Sequence, residues 1–382
     1  MNAPVRPPRL SSAIIDRVGY FLPRLLFTNA RIAPQLHWGD ITRALDDFDP
    51  ALVDPASAAF WDEWRGRFSL LGSNYENLAA TSGSPAGRFA GLRSAAAAYH
   101  FAEFMYFEDA AIKKSLRQSV RRCFTEAMAN SSVSYESRMV KAAGEDIQTF
   151  LFFPRDGQQS FACVLLSNGL DSMTEMEILS IGEYLLDRGI AVLLFEGPGQ
   201  GLDLGVRPLR IEMEAIVADL VRDLQDDRRV DTGRLGFFGV SFGGYFSLRI
   251  AQALPGTFRG VVNLSGGPAI APFTGLPRRL KQDFAFAFAS ADAQELQSRF
   301  DKMQLVGSAT VEGQKILSIH GRLDDIFPAA ALEAFVSTDS KHHELRLFET
   351  EAHVCMNYLH PNLISASDWM LETLGPIRRL SQ

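Results

Sequence analysis

Ser241, Asp324 and His353 are the residues of this sequence whose types and spacing could carry covalent chemistry. Ser241 stands in Gly239-Val240-Ser241-Phe242-Gly243, after the apolar run 235–240 and before the helix-compatible segment 245–254. A strand that turns sharply into a helix holds a serine hydroxyl clear of the backbone, and small flanking residues let the two backbones approach closely. Gly-x-Ser-x-Gly also describes ordinary turns, so the reading requires a base and an acid further along the chain. A serine hydroxyl is a poor nucleophile until a neighbouring imidazole takes its proton. In sheets of this kind the acid follows the nucleophile and the histidine comes last. Of the seven histidines, His353 in Glu351-Ala352-His353-Val354-Cys355 comes just after the strand-like segment 344–348 and meets that order. Its rival is His320, at the end of the preceding strand-like segment. His37 and His100 lie in a helical half, His342 and His343 precede the last strand, and His360 stands beside Pro361.

The acid must orient the imidazole and stabilise its charged form. His320-Gly321-Arg322-Leu323-Asp324-Asp325-Ile326-Phe327-Pro328 puts two carboxylates in the loop after a strand. Asp324 is preferred from its place in the turn, which leaves Asp325 at the start of the next helix, where negative charge suits the helix dipole. Glu351 is close to His353 along the chain, whereas a base needs its orienter on the far side of the ring. Charge developing on an attacked carbonyl oxygen needs fixed donors. One is the amide of Phe242, and the loop Asn168-Gly169-Leu170-Asp171 supplies the other, assigned to Leu170 with Gly169 as the alternative. Gly197-Pro198-Gly199-Gln200-Gly201 lacks the Lys and the Ser or Thr of a phosphate-binding loop and reads as a tight turn. No His, Cys, Asp or Glu spacing suits zinc and no redox-cofactor motif is visible, so neither a metal nor a cofactor is expected.

The elements that must position these residues come in two grammars. Residues 1 to about 130 show helical periodicity and almost no strand signal. The segment 85–107, with Phe89, Leu92, Tyr99, Phe101, Phe104, Met105 and Phe107 around an alanine run, is apolar on nearly every face and is predicted to be buried on most sides. The next segment repeats Ile112, Leu116, Val120, Phe124 and Met128 on one face, with Lys113, Lys114, Arg117, Arg121 and Arg122 on the other, and predicts an amphipathic helix. Past Ser131 strands and helices alternate: a strand pair at 138–141 and 147–153, then strands at 161–167, 190–195, 235–240, 260–264, 315–320 and 344–348. Asp171-Ser172-Met173-Thr174-Glu175 reads as a capping box opening a helix to about Arg188. This alternation predicts an α/β fold with a mostly parallel twisted sheet and helices on both faces. About fifty residues, 265–314, interrupt it and exceed an ordinary connection. Phe284 and Phe288 share a helical face there, and a helical lid insertion is expected.

Composition narrows the function classes. The chain has 382 residues, 47% of them hydrophobic, and a net charge of −7; this acidic balance argues against a nucleic-acid partner, which would leave a basic footprint. Cys123, Cys163 and Cys355 lie far apart with no metal-type spacing, and a reducing, cytoplasmic setting is expected. The first residues are interrupted by Pro7, Pro8, Asp16, Arg17 and Pro23 and lack the apolar core of a signal peptide, and no run approaches a membrane span. The 28 phenylalanines suggest a small apolar or aromatic carbonyl substrate as the partner, and no nucleic acid and no membrane are expected.

Phe195-Glu196-Gly197-Pro198-Gly199-Gln200-Gly201, the segment around Ser241, His320-Gly321 with Asp324, and His353-Val354-Cys355 together resemble the α/β-hydrolase superfamily. Gly169-Leu170-Asp171-Ser172 and the helix around Tyr99-His100-Phe101 resemble a narrower group within it, which holds 2,6-dihydroxypseudooxynicotine hydrolases, fermentation-respiration switch proteins and fungal hydrolases that shorten polyketides. The similarity runs from about Trp61 to the C-terminus. It departs from the group at Asn168, where glycine is frequent, and at Asp325, where proline is frequent. The resemblance implies an N-terminal helical cap domain, 1–131, over an α/β-hydrolase catalytic domain, 132–382, and a homodimer. By motif it implies Ser241, Asp324 and His353 as the triad. It also implies cleavage of a carbon-carbon bond next to a ketone; an esterase, thioesterase, lactonase or acyltransferase on the same triad, or a non-catalytic regulatory protein on a hydrolase scaffold, are the alternatives.

Overall fold

Side-chain caps set the helices of the N-terminal half. In α3 (Ala58–Thr81) Ser57 accepts from Phe60 N; in α4 (Pro85–Glu103) Ser84 accepts from Gly87 N with Pro85 in the first turn; in α5 (Ala110–Ala129) Asp109 accepts from Ala111 N and Ile112 N. Each cap satisfies amides that have no partner inside the helix. Two shorter helices, α1 (Leu10–Val18) and α2 (Trp38–Asp46), precede them. The computed structural model describes residues 10–18, 30–155, 160–308 and 311–375. The chain divides into one unit of Met1–Ser132 with Glu175–Glu177, and a second of Val133–Thr174 with Ile178–Gln382.

The helical unit is organised around α4. Ala95 to Ala98 are buried, and a Cβ on Gly91 would come 3.1 Å from the Ala79 backbone, so α3 and α4 pack closely because their facing residues are small. Trp64 Nε1 donates to Phe101 O at 2.7 Å. The helix ends at Glu103, short of the 107 expected from its apolar pattern. Lys113 Nζ donates to the carbonyls of Glu103 at 2.7 Å and Phe104 at 3.1 Å, satisfying acceptors that a helix end leaves over.

Lys113 and Arg117 qualify the amphipathic reading of α5, which put them on the face opposite the apolar one: both are fully buried. Glu103 Oε2 lies 2.7 Å from Lys113 Nζ and 3.0 Å from Arg117 Nε, so one buried carboxylate collects two cations. His100 lies 2.8 Å from Glu103 Oε1 through Nδ1 and 3.0 Å from Glu177 Oε1 through Nε2. Burial pushes the His100 pKa down, but the two carboxylates outweigh it and raise it to about 9. Burial likewise opposes ionisation of Glu103, and Arg117, Lys113 and His100 override it, holding the carboxyl well below its usual range. Arg121 pairs with Glu175 in the same unit.

The second unit is an eight-stranded sheet in the order β1-β2-β4-β3-β5-β6-β7-β8. Its strands are β1 (Tyr135–Ala142), β2 (Glu145–Phe152), β3 (Phe161–Ser167), β4 (Ala191–Phe195), β5 (Val230–Val240), β6 (Gly260–Leu264), β7 (Lys315–Gly321) and β8 (His343–Phe348). β2 pairs antiparallel with β1 and β4, and all other pairings are parallel. The continuous apolar runs of β3, β4 and β6 are buried along their whole length, as parallel strands covered on both faces must be. Residues 236 and 239 of β5 point to opposite faces. A Cβ on Gly236 would strike Met370 of α12 (Leu359–Leu374), and one on Gly239 would strike the start of α8 (Phe242–Ala253), which places one helix on each face.

Two local expectations shift. Instead of an α-helix opening at the 171–175 box and running to about Arg188, a π-helical turn over Thr174–Ile178 leads into α6 (Leu179–Leu186). At its start Glu196 Oε1 takes the Thr174 N–H at 3.0 Å. In the insertion, α9 (Arg278–Ala287) and α10 (Ala293–Lys302) bury Phe284, Phe288 and Phe300 together. Phe284 and Phe288 lie 6.5 and 6.4 Å, centroid to centroid, from the ring of Phe242. α7 (Glu214–Gln225), between β4 and β5, and α11 (Ala329–Ser337), between β7 and β8, complete the unit.

Candidate active site

Ser241 joins β5 to α8 with φ 58° and ψ −116°, a conformation that L-residues rarely hold and that a well-packed surround must enforce. The packing is visible in its neighbours. A Cβ on Gly239 would lie 1.8 Å from Gly243 O, and one on Gly243 would lie 2.2 Å from Ser167 O, so neither position has room for any other residue. Ser241 N donates to Leu264 O at 2.8 Å, tying the turn to the end of β6.

His353 follows β8 and bridges two side chains. Its Nε2 lies 2.7 Å from Ser241 Oγ and its Nδ1 lies 2.7 Å from Asp324 Oδ2. Asp324 Oδ1 accepts from Ile326 N and Phe327 N, each at 2.9 Å. Burial opposes the charge on Asp324, but His353, then His320 and the Phe327 amide, outweigh it, and its pKa is lowered. Asp324 is thus a buried, ionised, rigidly held acceptor, while Asp325 is exposed. A carboxylate on Nδ1 fixes the ring tautomer that leaves Nε2 free to take a proton from the serine hydroxyl.

His320, the rival base, is fully buried and donates from Nε2 to Phe327 O at 2.8 Å. Burial lowers its pKa. Its place is behind Asp324, whose Oδ2 is 3.7 Å away. Glu351 accepts from Asn357 N and Nδ2 and so braces the His353 segment. Cys355 is buried and its thiol is pushed up to about 12 by burial, which removes it as a nucleophile near neutral pH.

The two candidate oxyanion donors sit on either side of Ser241 in the chain. Phe242 is the first residue of α8, where amides have no partner within the helix. Leu170 follows Gly169, and a Cβ on Gly169 would lie 3.5 Å from Ser241 Cβ, so this loop runs beside the candidate nucleophile. Two further residues shape the site without having stood out by type. Ser265, at φ 53°, accepts the Val354 N–H on its Oγ at 3.0 Å, and Val354 and Cys355 are themselves left-handed at φ 69° and 51°. The Ser265-Gly266-Gly267 turn after β6 was the only sequence signal for it. Gln200, inside the Gly-rich turn 197–201, donates to Asn168 O and Gly169 O at 3.2 Å each.

A family model described as "Esterase FrsA-like" matches residues 39–281, more than half of the chain. The chain belongs to the FrsA-like esterase family. A prolyl oligopeptidase family model also matches residues 217–376. Among sequence relatives, 2,6-dihydropseudooxynicotine hydrolase of Paenarthrobacter nicotinovorans is 24% identical over 89% of this chain and 92% of its own length. The 20-hydroxy-prefusarin hydrolase FUS2 of Gibberella moniliformis is 43% identical over 23% of this chain, and hydrolase acrC of Aspergillus aculeatus 38% over 26%. These matches span only 22% and 27% of the fungal proteins' own lengths. The crystal structure of 2,6-dihydroxy-pseudo-oxynicotine hydrolase superposes with a TM-score of 0.73 at 17% identity, covering 94% of this chain and 95% of that one. Wild-type AbyA5 does so with a TM-score of 0.65 at 16% identity, covering 95% and 99%. The fold is accordingly that of an α/β hydrolase: a mostly parallel eight-stranded sheet with helices, preceded by a helical region. Among the described residues no helix is long and apolar enough to cross a membrane.

Proposed function

We propose that this protein is a serine hydrolase that cleaves a carbon-carbon bond next to a ketone through an acyl-enzyme on Ser241. The observation that carries the reading is the position of His353, 2.7 Å from both Ser241 Oγ and Asp324 Oδ2. In this scheme His353 Nε2 takes the serine proton as Oγ attacks the substrate carbonyl. The oxyanion is met by the amides of Phe242 and Leu170. The tetrahedral species collapses by expelling the neighbouring carbon as an enolate, which receives the proton held on His353 Nε2. Water, deprotonated by the same nitrogen, then releases the acid. The resemblance to nicotine-pathway and polyketide hydrolases supports a β-diketone, polyketide or acyl-aromatic substrate. The helical residues 1–131 are assigned the role of a cap domain and residues 132–382 that of the catalytic domain, residues 265–314 that of a lid, and the working form that of a cytoplasmic homodimer.

A second reading, ester hydrolysis by the same residues, is favoured by the family model itself, which is that of an esterase. Incubation with benzoylacetone and with phenyl acetate separates the two. Release of a carboxylic acid and a ketone from the diketone, lost in Ser241→Ala, supports carbon-carbon cleavage. Rapid ester turnover with the diketone untouched rejects it in favour of the esterase. A wild-type protein that neither turns over nor reacts with a fluorophosphonate at Ser241 would be a binding protein.

A further inference from the structure

The Gly-rich turn 197–201 has no part in the scheme above, yet its one functional side chain reaches the candidate oxyanion loop. Gln200 is 2% exposed. Its Oε1 accepts from Gly197 N at 3.1 Å, and its Nε2 donates to Asn168 O and Gly169 O at 3.2 Å each. A backbone N–H only donates and a carbonyl only accepts, so these three partners force the orientation of the amide. Gly169 C=O and Leu170 N–H are the two ends of one planar trans peptide and point in opposite directions. Whatever holds the carbonyl therefore aims the amide, and a hydrogen bond to the carbonyl also polarises the N–H into a stronger donor. On the other flank of the same loop, Gly243 lies against Ser167 O and Asn168 O with no room for a Cβ. The loop is thus held between the start of α8 and the Gln200 amide.

We propose that Gln200 is a positioning residue of the oxyanion site, fixing the Gly169–Leu170 peptide so that Leu170 N–H faces the oxygen attacked by Ser241. This rests on the serine hydrolase reading and on Leu170 as a donor. A bare structural role, closure of the turn, needs only the Oε1 acceptor for Gly197 N, and that difference makes the two roles separable. Gln200→Glu keeps the acceptor and replaces the donor with a group that repels both carbonyls; Gln200→Met removes both at similar size.

The test measures p-nitrophenyl butyrate hydrolysis and inhibition by a butyl trifluoromethyl ketone, which forms a tetrahedral adduct resembling the transition state, for the full chain and both variants. Losing one aligned donor lowers kcat by about 100-fold or more, so a misaimed one is expected to lower it by about 10- to 100-fold in both variants. KM should stay within about 3-fold, and trifluoromethyl ketone affinity should fall by the same factor as kcat/KM, as for interactions made only in the transition state. Thermal unfolding certifies each variant, and if one is unfolded the other decides. The proposal is overturned if a folded variant keeps kcat within about 3-fold of wild type, if Gln200→Glu is active while Gln200→Met is not, or if kcat falls with ketone affinity unchanged. Failure of the underlying reading looks different: wild-type Ser241 would not react with a fluorophosphonate, and Ser241→Ala would hydrolyse the ester as wild type does.

Discussion

Replacing Asp324 by Asn tests the orienting carboxylate with almost no change in shape. The two backbone donors on Oδ1, Ile326 N and Phe327 N at 2.9 Å each, demand an oxygen there. The new amide nitrogen must therefore take the Oδ2 position, 2.7 Å from His353 Nδ1. An N–H aimed at Nδ1 requires that nitrogen to be unprotonated, which moves the ring proton to Nε2 and turns it toward Ser241 Oγ. The base then has no lone pair for the serine proton. A wrong tautomer of this kind lowers kcat by about 10³- to 10⁴-fold, or about 4 to 5.5 kcal/mol of barrier. Stability should change by only about 1 kcal/mol, since both backbone donors keep their acceptor. Asp324→Ala gives the contrasting result, because it orphans both amides at about 1–3 kcal/mol each. Stopped-flow hydrolysis of a p-nitrophenyl ester, with thermal unfolding alongside, reads both quantities. An Asn variant that folds normally and retains kcat within about 10-fold of wild type would refute the assignment of Asp324 as the orienter.

The conformation of Ser241 predicts a gain as well as a loss: Ser241→Gly abolishes activity yet raises Tm relative to Ser241→Ala, because glycine relieves about 1–3 kcal/mol of strain at φ 58°. Equal melting temperatures for the two variants would contradict it. Glu103→Ala leaves Lys113 and Arg117 buried without their carboxylate and should destabilise the helical unit by about 3–5 kcal/mol, read as a lowered first unfolding transition. His343 is buried against Ser318 Oγ at 2.7 Å, and burial lowers its pKa from the ordinary 6.5 to about 4. The unfolded chain binds the extra proton between those values, so this contribution is complete above pH 6.5 and disappears as pH falls toward 4, amounting to about 3 kcal/mol. His343→Asn should flatten the fall of Tm with pH across that window. Parallel slopes would show that His343 is not responsible.

The features legible in the sequence are those with a short-range signature. Gly239, Ser241 and Gly243 announce a turn whose close approaches the structure shows directly, and continuous apolar runs such as 161–167 and 260–264 read as buried parallel strands because both their faces are covered. Chain order singled out the three side chains that the structure brings within hydrogen-bonding distance. Features set by partners distant in sequence were not legible. Lys113 and Arg117 fit the polar face of an amphipathic helix until Glu103 draws them inside. The turn at Thr174 takes an acceptor for its first amide from Glu196, just past β4 and 22 residues along the chain, which the local 171–175 pattern does not show. Gln200 reaches the carbonyl of Asn168, and Ser265 the amide of Val354, each more than thirty residues away, and nothing in their own neighbourhoods marks that reach.

The central claim is that Ser241 becomes covalently acylated during turnover. Rapid-quench mass spectrometry of the full chain mixed with p-nitrophenyl butyrate tests this directly. The account predicts a butyryl adduct that forms within the first turnover and maps to the peptide containing Ser241, absent in Ser241→Ala. Turnover with no adduct at Ser241, or an adduct carried by another residue, would contradict it.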